Sequence, residues 1–479
     1  MEIGTRIHAY TDDALGRLDA CGIAARIASG EVSAREVVQA AVDRARVVDP
    51  QLNALAATDF DAALAAAGDA DRSAATTRAP LHGVPTLIKD NTAVAGLPTQ
   101  HGSVSFTAAP AAVTGRFAAD MLATGMIALG KSRLPEFAFN VTCEYTDAEP
   151  VRNPWNPAFS AGGSSGGAAA MVAAGVVPVA HATDAGGSIR VPAAACGLVG
   201  LKPSRGRVAA DPADLAMPLR IAVQSVVSRS VRDTAIMLTE AERHHRNPRL
   251  RPVRNVRGPG STRLRIGVLS QSPTTHPLDA DARAAIRATA ELLSGLGHEV
   301  VEADYPVSPD YLREFMLYLG MLMAMIRANA RRIVGSDLDR ERMDATTAGI
   351  ADHYLRSAAA TPLMLARLAQ VRRRYVAMFR DYDVLLSPTL AHATPELGHL
   401  TPDQDFDTWL DRFAAYDGIA PLNNISGTPA VTLPLHRTSS GLPCGVQFAG
   451  GIGEERTLLE LAFELEEAAS WPLIDNSWP

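Results

Sequence analysis

Gly162-Gly163-Ser164-Ser165-Gly166-Gly167, then an apolar run from Ala168 to Ala180 broken by Pro178, then Asp184-Ala185-Gly186-Gly187-Ser188, form the stretch on which the reading of this chain turns. The apolar run is built mainly from Ala, Gly and Val and is too short to cross a bilayer. It reads as a buried helix starting near Gly166 that passes into a strand over 176–181. Glycine tolerates the positive φ and close backbone approach that an anion-binding nest of N–H groups requires. A serine at the end of such a nest can attack a carbonyl while neighbouring N–H groups hold the oxyanion. Upstream, Lys89 sits in the apolar setting Leu87-Ile88-Lys89-Asp90. Either glycine run alone could merely let a helix pack closely on a strand. The two together with Lys89 point to a reaction centre.

Outward from this stretch, helices and strands interleave. Ser33-Ala-Arg-Glu36 is a capping box that opens a helix to about Val47, with Pro50 beyond its end, and Ala-rich helical sequence continues to about Ala70. Residues 84–89 read as a short buried strand, 117–124 as a helix ending at Gly125, and 126–129 as a strand. The Pro- and Asn-rich stretch 140–160 reads as loop. A basic, Gly/Pro-rich connection over 249–262 precedes a strand at 264–269, an amphipathic helix at 279–296 closed by Gly297, and a strand at 299–302, a βαβ pattern. Residues 311–378 read as almost wholly helical. Strands follow at 384–388, 429–434 and 445–448, then a closing helix at 454–469. The expected class is α/β, with a central mixed, twisted sheet and helices on both faces.

Composition narrows the function. With 479 residues, 47% of them apolar and 20% charged, the chain is an ordinary globular one with room for a large core. A net charge of −7 gives no electrostatic case for nucleic acid, and Arg372-Arg373-Arg374 reads as a solvated helix face. Cys21, Cys143, Cys196 and Cys444 form no CxxC, which argues against zinc and disulfides and suits a reducing cytosol. The stretch Met1 to Arg6 lacks a basic region followed by an apolar one, so no signal peptide is expected. The Met-rich segment 315–326 reads as a core or pocket helix rather than a membrane-surface one.

Three patterns compete with the serine–lysine reading. Gly125 to Ser132 fits the P-loop, but a P-loop follows a strand and opens a helix, and here a helix precedes it. Gly162-x-Ser164-x-Gly166 fits the nucleophile elbow, but its lead-in reads as loop, and His392, His399 and His436 have no distinctive setting for a Ser-His-Asp machine. His181 is placed to tempt as a base, yet reads better as a core or strand-end histidine.

The remaining pattern resembles the amidase signature family of serine hydrolases. The resemblance is carried by His82-Gly-Val-Pro85 with Lys89-Asp90, Gly130-Lys131, Asn153-Pro154-Trp155, Gly162 to Gly167, Thr183 to Arg190, Pro192, Cys196-Gly197 and Gly200-Leu-Lys-Pro203. Gly427-Thr-Pro-Ala430 and Leu442 to Gln447 extend it. It is densest over residues 80–210 and looser over nearly the whole chain, and looks most like bacterial, actinobacterial-type stand-alone amidases with kinship to nylon-oligomer (6-aminohexanoate cyclic dimer) hydrolases.

The resemblance implies one large α/β/α domain over 1–479. Within it would lie an N-terminal helical segment at 1–75, a signature core at 80–210 and a variable helical segment at 311–415 on the substrate side. It implies a triad of Ser188 as nucleophile, Ser164 as bridging serine after a cis peptide from Gly163, and Lys89 as base. The backbone N–H groups of Ala185, Gly186, Gly187 and Ser188 would form the oxyanion hole, with Asp184 and Arg190 as structural supports. Ala138, Phe139, Asn140 and Val141 would line the acyl side, with Cys143 near it. Phe315, Met316, Tyr318, Met321 and Met325 would offer an apolar wall. The expected reaction is amide hydrolysis through an acyl-enzyme on a small-molecule substrate. It needs no metal, cofactor, nucleic acid or membrane, takes place in the cytoplasm, and leaves a homodimer open. The alternative is the A subunit of a glutamine-dependent tRNA amidotransferase. A binding protein that kept the fold and lost activity is disfavoured by the complete triad.

Overall fold

The computed structural model describes residues 6–73 and 79–475. The first five residues, on which part of the signal-peptide reading rests, lie outside it, as do residues 74–78 near the end of the N-terminal helical segment.

The strands fall into three groups. β1 (Leu55–Thr58), β2 (Pro85–Lys89) and β3 (Ile127–Ser132) make a small sheet in the order β1-β3-β2, with β2 and β3 parallel. β4 (Arg152–Asn153) and β5 (Asn156–Ser160) form a hairpin. The main sheet takes β6 (Val179–Asp184), β7 (Val199–Lys202), β8 (Val223–Ser228), β9 (Arg265–Val268), β10 (Glu299–Glu302), β11 (Val384–Pro388), β12 (Ala430–Arg437) and β13 (Pro443–Gly450). Its order is β10-β9-β11-β13-β12-β7-β8-β6, parallel across β10, β9 and β11 and antiparallel elsewhere. The expected mixed α/β architecture is the observed one.

Strand alternation puts helices on both faces. Val384 and Leu386 of β11, Val431 and Leu433 of β12, and Val446 and Phe448 of β13 join a core closed by the helices Val231–His244, Ala280–Gly295 and Glu455–Ala468. The intervening Leu385, Ala430 and Ala449 join a second core under the helices Tyr311–Ala328, Thr361–Ala377 and Phe406–Tyr416. No helix among the described residues is long and apolar enough to cross a membrane.

The small sheet is attached to β6 through side chains rather than a ladder. Thr86 Oγ1 donates to Val179 O at 2.9 Å, and the Lys89 backbone N–H donates to His181 Nδ1 at 3.2 Å. This side-by-side placement carries the end of β2 to the end of β6, and so brings Lys89 to the glycine runs.

Several boundaries differ from expectation for identifiable reasons. The helix opened by the Ser33 box runs through Pro50 to Leu52. Near a helix end a proline forfeits a single hydrogen bond, and here Asn53 in the left-handed conformation closes the helix while Asp49 caps Ala54 and Leu55. β1 is Leu-Ala-Ala-Thr, whose alanines read as helix; pairing with β3 decides otherwise. The stretch 140–160 holds the β4–β5 hairpin, pinned by Asn153 Nδ2, which donates to Ser160 O and Ala195 O at 2.9 Å each. The lead-in to Ser164 is therefore a short strand, though not one of the main sheet.

Phe448 is fully buried between β13 and the covering helices. Phe448→Ala is expected to cost about 3–5 kcal/mol through lost transfer energy and the cavity left behind, read as a fall in the urea midpoint at unchanged slope.

Candidate active site

Lys89 is the last residue of a strand buried along its whole length. Its Nζ lies 2.8 Å from Ser164 Oγ and 3.0 Å from Thr183 Oγ1. The carboxylates that could neutralise it are engaged elsewhere: Asp90 pairs with Lys131 at 3.0 Å and Asp184 with Arg190 at 2.9 Å. A fully buried ammonium with hydroxyl partners instead of a counter-ion is penalised by lost hydration. Burial accordingly pushes the amine down to about 7, against opposing pulls from Cys143 and Asp184.

Ser164 sits in the turn between β5 and the helix Gly166–Ala173, and the Gly163–Ser164 peptide is cis. Gly163 lies so close to the 141–142 backbone that a Cβ there would come within 2.8 Å of Thr142 N. The neighbouring Ser165 hydroxyl donates to Thr183 O at 3.3 Å. Cys143 lies beneath, its Sγ 3.5 Å from Ser164 O, with burial pushing the thiol up to about 11. It is a neutral packing group.

The second glycine run leaves the end of β6 and wraps around the Asp184 carboxylate. That carboxylate accepts the backbone N–H groups of Gly187 at 2.8 Å and Ile189 at 3.2 Å, two guanidinium N–H groups of Arg190 at 2.9 Å, and Asn424 Nδ2 at 2.8 Å. Although burial opposes ionisation, Arg190, Lys202 and Asn424 hold the carboxyl well below its ordinary range. Gly187 has φ +134°, and a Cβ there would lie 2.9 Å from Asp417 Oδ2.

This wrapping amends the expected oxyanion hole. Gly187 N–H is committed to Asp184, whereas the N–H groups of Ala185, Gly186 and Ser188 have no hydrogen-bond partner among the described residues. The open donors are those three.

Ser164 and Ser188 border one cavity of about 180 Å³. Ser188 is 9% exposed, and its hydroxyl makes no hydrogen bond among the described residues. Hydrogen bonds of a relay commonly tighten only when substrate is bound. Ala138 and Phe139 line this cavity. Asn140 and Val141 do not. The Asn140 amide donates to Leu400 O at 2.8 Å and accepts Val141 N–H at 2.8 Å, locking the loop, while Val141 packs into the core beneath the helix Tyr311–Ala328. That helix does supply the apolar wall, but through Leu319, Leu322 and Ile326, with Phe315 against the Gly186 loop. Met316 and Met321 pack in the core, Tyr318 OH is bonded to Leu219, and Met325 is 40% exposed. A helix apolar nearly all round hides which face it presents.

The competing motifs resolve into structural roles. Gly130 and Lys131 lie within β3, with Lys131 tied to Asp90, Pro98 O and Thr99. His181 accepts the Lys89 N–H on Nδ1 and meets Gln224 Oε1 at 3.1 Å through Nε2; burial pushes it down to about 4. Sequence reasoning assigns no role to Thr183 or Asn91. Thr183 Oγ1 accepts both the Lys89 amine and Asn91 Nδ2 at 2.9 Å, and the signal for it is its position immediately before Asp184 at the strand end.

Residues 36–459 match the amidase family. The chain belongs to the amidase signature family and is an amidase, a hydrolase of carboxylic amides. Over 472 residues it is 45% identical to a Mycobacterium tuberculosis protein named "Putative amidase AmiC", covering 98% of each chain. The solved structure of a 6-aminohexanoate cyclic dimer hydrolase complexed with substrate superposes with a TM-score of 0.86 at 30% identity, over 97% of this chain and 100% of that one. A glutamyl-tRNA(Gln) amidotransferase subunit from Synechococcus is 31% identical over 93% of this chain and 96% of its own.

Asp184→Ala would leave the Arg190 guanidinium buried without its carboxylate. The expected loss is about 3–5 kcal/mol of unfolding free energy. Activity should fall with it, because the Gly187 turn loses its anchor; a variant with wild-type stability and turnover would contradict the anchoring role.

Proposed function

We propose that the protein hydrolyses amides through a Lys89–Ser164–Ser188 relay and an acyl-enzyme on Ser188. The observation that carries this reading is the 2.8 Å approach of a buried amine, lowered to about 7 and with no carboxylate partner among the described residues, to the Ser164 hydroxyl. Neutral Lys89 takes the Ser164 proton as Ser164 takes that of Ser188, and Ser188 Oγ adds to the substrate carbonyl. The oxyanion is held by the N–H groups of Ala185, Gly186 and Ser188. Reversal of the relay hands a proton to the departing nitrogen, which an amide needs far more than an ester does. Water then repeats the sequence on the acyl-enzyme and releases the acid.

Thr183 supports the geometry. Its O and Oγ1 stand 3.5 and 3.0 Å from Lys89 Nζ, so they can take two amine hydrogens and leave the lone pair for Ser164. The apolar wall of Phe139, Leu319 and Leu322 excludes water from the reacting amide.

Ser188→Ala should abolish turnover, and intact-protein mass spectra with a slow ester substrate should show no acyl adduct. Lys89→Ala should lower kcat/KM by several orders of magnitude and Ser164→Ala by less. Full activity in Lys89→Ala would refute the base assignment. Only the neutral amine accepts a proton, so wild-type kcat/KM should rise with pH through about 7 and then level off. A profile flat from about pH 5 to 9 would contradict the relay. Hydrolysis of simple amides by the purified chain alone separates this reading from that of an amidotransferase subunit, which would need its partner.

A further inference from the structure

Beyond the two serines, the catalytic cavity carries two carboxylates and no lysine or arginine among its lining residues. Asp211 and Asp214, at the start and within the short helix Pro212–Leu215, share its wall with Phe139, Met217, Leu319 and Leu322. A chain of hydrogen bonds orients them. The Lys89 backbone N–H fills His181 Nδ1, so the imidazole proton sits on Nε2 and is donated to Gln224 Oε1 at 3.1 Å. The Gln224 NH2 is thereby turned to the carboxylates, donating to Asp211 Oδ2 at 3.0 Å and Asp214 Oδ2 at 3.2 Å.

The two acids differ in what else they do. Asp211 Oδ1 accepts the Arg116 N–H at 2.8 Å, which caps the helix Arg116–Ala123. Asp214 Oδ2 takes one further bond, from Asp211 N–H at 3.3 Å, and Asp214 Oδ1 takes none among the described residues. Neither carboxylate has an ion-pair partner among those residues. Burial raises the Asp214 carboxyl above its ordinary range, as befits a carboxylate short of positive charge. A second observation points to a ligand: Ser188, 9% exposed and with its hydroxyl unpartnered among the described residues, lines the same cavity.

We propose that Asp214, supported by Asp211, selects amides that carry a cationic nitrogen. An ammonium or guanidinium would be joined to the scissile amide by an apolar spacer lying along Phe139, Leu319 and Leu322. The inference rests on the hydrolase reading above and adds the substrate class to it. A cation entering the recess supplies the missing counter-charge and a charge-assisted hydrogen bond to Asp214 Oδ1, while its spacer covers the apolar wall. An uncharged substrate of the same length leaves that oxygen without a partner, and an anionic one meets repulsion.

The test compares matched pairs: 5-aminopentanoyl against pentanoyl 4-nitroanilide, and N-(4-aminobutyl)acetamide against N-butylacetamide. The first pair places the charge on the acyl side and the second on the amine side. In at least one pair the cationic member should show kcat/KM higher by about tenfold or more at low salt, the scale of one hydrogen bond to a charged group, with the gain in KM. Added salt should erode the gain. Asp214→Asn should collapse the cationic-to-neutral ratio, with the neutral member in the same variant reporting an assembled site. A wild-type ratio near one in both pairs overturns the proposal, as does a ratio that survives Asp214→Asn. Should the variant fail to fold, inhibition of the wild-type enzyme decides: butylammonium must compete with a neutral substrate better than 1-butanol and lose that advantage in salt, and equal inhibition overturns the proposal. Neutral amides cleaved by wild type and not by Ser188→Ala keep the hydrolase reading intact whatever the charge preference; no cleavage of any amide counts against that reading instead.

Discussion

An amine removed from water without a carboxylate beside it is the constraint around which this molecule is arranged. Lysine is rarely buried unpaired, because the charged form loses its hydration and gains too little in return. Lys89 is fully buried, and both nearby acids are committed, Asp90 to Lys131 and Asp184 to Arg190. What remains for its nitrogen is hydroxyl and carbonyl oxygen: Ser164, Thr183 Oγ1 and Thr183 O. Such partners hydrogen-bond a neutral amine well and neutralise an ammonium poorly. The fold thus discourages the charged state while preserving the geometry that a base needs, and the two acids at hand are kept from undoing this by cations of their own.

The second serine is held by a different device. Asp184 and Arg190 form a wholly buried pair whose outward bonds reach three separate parts of the chain. Arg190 donates to Ala420 O, Asn423 Oδ1, Asn424 Oδ1 and Gln447 Oε1 at 2.6–3.2 Å, and Asp184 anchors Gly187 and Ile189. A buried ion pair alone is weak evidence for stability. Here its worth is positional: the loop that presents Ser188 is fastened to β13 and to the helix Pro421–Ser426, segments distant in sequence. The open N–H groups of Ala185, Gly186 and Ser188 are what is left once the carboxylate has taken the donors that the turn must spend on its own shape.

Much of this is legible in the sequence, and the limits have physical causes. β10 and β11 can be read residue for residue, because short apolar or alternating runs between turn signals constrain a strand tightly. The meeting of Lys89 with Ser164, and of Ser164 with Ser188 on one cavity, is legible because glycine runs and a lysine in an apolar strand are both costly. β1 is not, since Leu-Ala-Ala-Thr has helical propensity and becomes a strand only by pairing with β3. Asn140 looks like a pocket residue and serves as a loop lock, because a side-chain amide suits either role and only its neighbour, Leu400 O, decides. The substrate-side helix is evident but its phase is not, for Phe315 through Ile326 is apolar on every side. Asp211, Asp214 and Thr183 carry no pattern of their own; they are brought to the cavity by β6 and β8 lying side by side, with Thr183 opposite Gln224.

Lys202 shows why the company of a buried lysine matters more than its acidity. It too is fully buried, with its amine pushed down to about 7, chiefly by burial and by Arg190. Its Nζ donates to Pro203 O at 2.9 Å, and no serine or threonine hydroxyl meets it among the described residues. A neutral lysine beside a carbonyl has nothing from which to take a proton, so it can act only as a spacer and a donor. Lys89 differs by its hydroxyl contacts, Thr183 Oγ1 at 3.0 Å and above all Ser164 at 2.8 Å, which it reaches because β2 ends beside the 162–167 turn. Depressed basicity follows from burial anywhere in this core. The proposed relay asks in addition for a hydroxyl at the lone pair and an open cavity beyond it, and at residue 89 the buried amine meets Ser164, which borders the cavity shared with Ser188.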